Sequence, residues 1–129
     1  MKIPQDLLAR IVDHARADAP NECCGVVSVR DGVAVGVHPL VNVAASPLKF
    51  DVGYDLAGVW DDIERAGNTL GAIYHSHVRS EPYPSQTDIN WSKPNWEDVE
   101  WIIVGLDGDE ATVRSYLIED GGVREVEVE

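Results

Sequence analysis

AIYHSHVRSEPYPSQTD, residues 72–88, begins as an apolar strand and ends as a polar loop, with two histidines at the change. Alternate residues of a strand share a face, so His75 and His77 point the same way while Tyr74 and Ser76 point the other and read as packing. The pair falls at the C-terminal end of the strand, where sites in α/β sheets tend to open. H-x-H alone is as readily an ordinary surface or core pattern. The loop adds Ser85 and Asp88, and Asp88 offers a hard oxygen. Two histidines and a carboxylate form a three-ligand set that leaves zinc one open position, the mark of a catalytic rather than a structural site. Pro82 and Pro84 stiffen the connection. Ser85 and Asp88 also fit a helix start, with serine as N-cap and the acid in the first turn. The two readings are compatible, because a short turn would fix both side chains relative to each other.

Working outward, residues 4–18 put Leu7, Leu8, Ile11, Val12 and Ala15 on one helical face, with Pro4 in the first turn and Pro20 beyond the end. His14 falls near the polar side and reads as a surface residue. CGVVSVR and VAVGVH flank Asp31-Gly32, a two-residue hairpin signal. LKFDV, residues 48–52, reads as a short strand. Residues 54–66 read as a second helix, with Leu56, Val59, Trp60 and Ile63 inward and Gly67 closing it. LGAIYHSH, VEWIIVGL, ATVRSYLI and VREVEV then read as strands, the last three joined by hairpin turns at DGDE and EDGG. His38, before Pro39, reads as a surface residue, and Trp60 and Trp101 as core. The order of elements predicts an α/β fold, a mixed central sheet flanked by helices. With 129 residues and no linker or repeat, a single domain spanning 1–129 is expected.

Composition narrows the partners. The formal charge is −13 and the ten basic residues form no patch, which argues against nucleic acid. No apolar run approaches the ~20 residues of a membrane span. MKIPQDLLAR turns charged at once, unlike a signal peptide. Cys23 and Cys24 are adjacent, a poor geometry for an ordinary disulfide. One of the two reads as a small core residue, and a reducing cytoplasm fits the cysteine usage.

Three metal architectures use H-x-H. A barrel hydrolase needs ~250 residues. A cupin-like barrel could use His75, His77 and Glu81, but it should be almost all β, and Thr69 stands where its leading glycine belongs. The third fits: H-S-H, seven residues, Ser, two residues, Asp resembles the signature of the JAMM (MPN-plus) metalloprotease family, carried by His75, His77, Ser85 and Asp88. HARADAPNECCGVV and VRSYLIEDGGV extend the likeness to small prokaryotic stand-alone members, most of all those that cut cysteine from a sulfur-carrier protein.

That resemblance implies a cytidine-deaminase-like sandwich and a Zn²⁺ ion held by His75, His77 and Asp88. It implies that Glu22, in NECCGVV, is the general base and Ser85 the oxyanion donor; by pattern alone Glu22 is one acid among 23. The implied partner is a ubiquitin-like sulfur-carrier protein ending in Gly-Gly, cut at the peptide bond after that terminus with release of cysteine. Isopeptide cleavage of ubiquitin-like conjugates is the alternative, and a non-catalytic scaffold of the same fold is a second. A homodimer is the state that small stand-alone members suggest. Residues 89–98, INWSKPNWED, fall outside any interpretable pattern. Trp91 and Trp96 there read equally as a substrate wall or as core.

Overall fold

The computed structural model describes residues 1–42, 44, 55–78, 81–85, 98–108, 110–119 and 122–129. Among them are helices α1 (Gln5–Asp18) and α2 (Asp55–Arg65) and strands β1 (Cys24–Arg30), β2 (Val33–Leu40), β3 (Thr69–His77), β4 (Glu100–Gly105), β5 (Thr112–Glu119) and β6 (Gly122–Val126). The strands form one mixed sheet in the order β2-β1-β3-β4-β5-β6. The predicted strand over 48–52 lies outside the described residues.

The β1–β2 hairpin closes on Asp31 and Gly32, whose φ values of 53° and 79° are the left-handed pair that a two-residue turn of matching twist requires. β1 then pairs antiparallel with β3, so β1 lies between β2 and β3. β3 and β4 run parallel, which a tight turn cannot connect. Ser85 follows β3 in the longer connection that a parallel pair needs.

Alternation divides the core into two layers. On one face α1 places Leu7, Ile11 and Ala15 against Cys23, Val27, Ala72, Tyr74, Ile102 and Val104. On the other, α2 packs Leu56, Val59, Trp60 and Ile63 against Cys24, Val26, Ile73, Trp101, Ile103 and Tyr116. Trp101 is fully buried as expected, whereas Trp60 is only half-buried. The adjacent cysteines fall into different layers and both are buried, so the expectation of one core cysteine is corrected to two. The mixed sheet with helices on both faces rules out a cupin-like barrel. No helix among the described residues is long and apolar enough to cross a membrane.

Two histidines assigned to the surface lie further in. His14 has a side chain only 15% exposed, because Tyr74 and Asp18 both draw it inward. Its Nδ1 is 2.6 Å from the Tyr74 hydroxyl and its Nε2 is 3.2 Å from Asp18 Oδ2. Tyr74 is thus a hydrogen-bonding residue as well as a packing one. His38 is half-buried, with Nε2 2.9 Å from Ser28 Oγ.

Candidate metal centre

β3 is buried from Leu70 to His77 apart from half-buried Gly71, and its last residues bring the polar groups of the site. His75 lies opposite Cys24 on β1 and Ile103 on β4, in the α2-facing layer. Its ring meets Trp101 edge-on, with centroids 6.1 Å apart. His77, two residues on, shares that face. The two Nε2 atoms are 3.0 Å apart. His77 Nδ1–H donates to the Glu81 carbonyl at 2.8 Å, which fixes the tautomer and leaves Nε2 as a lone-pair donor toward His75. Both imidazoles are 5% exposed or less.

Glu22 immediately precedes Cys23 and β1, and alternation puts it on the same face as Cys24 and His75. It is only 5% exposed. A carboxylate that deep is retained where hydrogen bonds or a charge meet it. Asn42, buried beyond the end of β2, donates its Nδ2–H to the Glu22 carbonyl at 2.9 Å and accepts from Ala44 N–H at 3.0 Å. Asn42 therefore ties the end of β2 to the turn that aims Glu22, a role for which a lone asparagine in VNVAAS gives no sequence signal. Ser76, on the reverse face, accepts a hydrogen bond from Cys23 N–H at 2.9 Å and locks that turn to β3 from behind.

Glu22, His75 and His77 offer ligand atoms that all lie within 4.8 Å of one another. Tetrahedral zinc with bonds near 2.05 Å has ligand–ligand edges of about 3.3 Å. The histidine pair is already close to that spacing, so the donor set fits a small divalent cation. The predicted residues thus divide into three groups. Glu22, His75 and His77 are brought together; Ser85 is exposed at the end of the segment that leaves β3; Asp88, Trp91 and Trp96 lie outside the described residues.

The family model describing prokaryotic homologs of the JAB domain matches residues 4–119. The chain belongs to this family. It is a JAMM-type peptidase. A CysO-cysteine peptidase of Mycobacterium tuberculosis is 37% identical over 128 residues, covering 95% of this chain and 86% of that protein. A desampylase of Haloferax volcanii is 33% identical, covering 84% and 82%. A solved structure from Desulfitobacterium hafniense superimposes with a TM-score of 0.86 at 26% identity, covering 98% of this chain and 90% of that one. The non-catalytic scaffold considered from the sequence is thereby set aside.

Proposed function

We propose that this protein is a single-domain zinc hydrolase of the cytoplasm. It cuts the peptide bond after the C-terminal Gly-Gly of a ubiquitin-like sulfur-carrier protein and releases cysteine. The observation that carries the reading is the buried meeting of Glu22, His75 and His77 at the end of β3, with ligand atoms all within 4.8 Å of one another. The kinship with the mycobacterial peptidase supports the substrate.

In this reading His75, His77 and Asp88 hold the ion. When bound, zinc supplies Lewis acidity, lowering the pKa of water toward ~7 and polarising the scissile carbonyl. Glu22 accepts the proton of the attacking water and passes it to the departing amine, a service worth roughly 10²–10⁴ in rate. Burial of Glu22 keeps bulk water from competing for that proton. The Ser85 hydroxyl donates to the carbonyl oxygen as it gains charge; removing such a donor costs about 10²–10³. Glycines at the cleavage point suit a narrow site, since a missing Cβ lets the backbone approach closely. The desampylase relative supports a second reading, cleavage of isopeptide-linked conjugates at the same centre. A homodimer is the proposed assembly.

The test is cleavage of a carrier–Gly-Gly–cysteine adduct by the zinc-loaded protein, read by mass spectrometry beside Glu22→Ala. Cleavage by wild type alone, with zinc retained in the variant, assigns Glu22 as base. Loss of zinc in the variant makes Glu22 a ligand instead. An inert, zinc-loaded wild type removes this substrate and favours the isopeptide reading. A wild type that binds no zinc overturns the metal centre.

A further inference from the structure

The segment leaving β3 is fastened by residues two strands away. Tyr83 N–H donates to the Glu81 carbonyl at 2.8 Å, making Pro82 the centre of a three-residue turn whose φ the pyrrolidine ring presets. That same Glu81 carbonyl is the acceptor for His77 Nδ1–H. The next carbonyl, that of Pro82, accepts the Tyr116 hydroxyl at 2.7 Å. The Pro82 ring lies over Gly105 of β4, where a Cβ would come 3.1 Å from its Cδ and Cγ. The Tyr83 ring meets Tyr116 edge-on, with centroids 5.4 Å apart. Tyr116 itself, on β5 opposite Trp101, is 2% exposed. Burial pushes its phenol above the ordinary value.

We propose that Tyr116 is a positioning residue for the metal centre. Its hydroxyl pins the Pro82 carbonyl, the preset turn at Pro82 holds the Glu81 carbonyl beside it, and that carbonyl fixes the His77 ring with Nε2 facing His75. The proposal rests on the reading of His75 and His77 as metal ligands. It deepens that reading by naming what orients one of them. The torsion that turns an imidazole about its ring bond is broad, so a histidine is aimed by the partner of its other nitrogen rather than by its rotamer. Disturbing such a partner typically costs about 10–100-fold in metal affinity or activity. Tyr116 acts one bond further out, so the low end of that range is expected. Gly105 belongs to the same device: without its open space the Pro82 ring would be lifted and the Glu81 carbonyl carried with it.

Tyr116→Phe tests this, since it keeps the ring and its contact with Tyr83 and removes only the hydroxyl. Zinc affinity of the metal-free protein is measured by competition with a chromogenic chelator, beside thermal melting of the same metal-free sample. The expected result is zinc binding about 10-fold weaker, near the low end of the outer-partner range, with the metal-free melting temperature within a few degrees of wild type. In the cleavage assay kcat falls while KM holds. Gly105→Ala, the second variant, should weaken zinc in the same direction and carries the test if Tyr116→Phe does not fold. Zinc affinity within two-fold of wild type in the folded variant overturns the positioning role and leaves the proposed function standing. A wild type without zinc affinity overturns both.

Discussion

Gly25 is the position where one added methyl group should be most costly. It pairs with Tyr74 across β1 and β3, and a Cβ built there would overlap the Tyr74 ring at Cε2, Cζ and the hydroxyl oxygen. Tyr74 is fully buried between the sheet and α1, so the ring cannot swing into solvent. The strands must part or the ring must move, and a moving ring abandons the 2.6 Å contact with His14. Overpacking a core costs about 1–3 kcal/mol, and stranding a buried hydroxyl about the same again. Gly25→Ala should therefore destabilise by about 2–6 kcal/mol, a large share of the total for a domain of this size. At about 4 °C per kcal/mol, the melting temperature falls by roughly 8–24 °C. Differential scanning calorimetry or thermal circular dichroism reads the shift. Repeating the substitution in a Tyr74→Leu background isolates the cause: with the ring gone, the methyl should cost under about 1 kcal/mol, because coupling between contacting residues is what the double-mutant cycle reports. A Gly25→Ala protein that melts within 2–3 °C of wild type, or an equal cost in both backgrounds, would refute the reasoning.

Two further outcomes are expected. Burial pushes the Cys23 thiol up to about 12, and Cys24 is equally enclosed in the other layer; iodoacetamide at pH 8 should label neither in the native protein and both after denaturation, and rapid native labelling would contradict the buried assignment. His38 is held below its ordinary value of 6.5 by burial first and by the Arg10 charge second. The unfolded chain therefore takes up this proton more readily than the folded one, so this residue's contribution to stability declines as pH drops below about 6.5. Urea melts at pH 7.5 and 5.5 should show a smaller acid loss in His38→Gln than in wild type, and an unchanged or larger loss would refute it.

Local pattern was enough for the two helices and six strands among the described residues. The apolar spacing of Leu7, Ile11 and Ala15 predicts a helix over 4–18, and the structure has Gln5–Asp18. Asp31-Gly32 specifies a turn because φ is positive at both residues, and Gly67 closes α2 with φ 82° for the same reason. The strands could be read as apolar runs bounded by turn residues, β3 and β4 being buried almost throughout. These are short-range properties, each settled within a few residues by backbone sterics and one-sided burial.

The site was legible only in part. His75 and His77 share a face by strand geometry alone, and a spacing of four residues across 75–88 identified the family. What the sequence could not supply is which distant groups meet them. Glu22 reaches the histidines because β1 inserts between β2 and β3, putting Cys24 beside His75, a pairing that joins residues some fifty positions apart. Asn42, Tyr116 and the Glu81 carbonyl carry no pattern of their own, and His14 looked solvent-facing until Tyr74 met it across the α1 layer. Sequence periodicity records which face a side chain occupies. Only the order of strands in the sheet decides what waits there, because that order is chosen by burial and pairing over the whole chain at once.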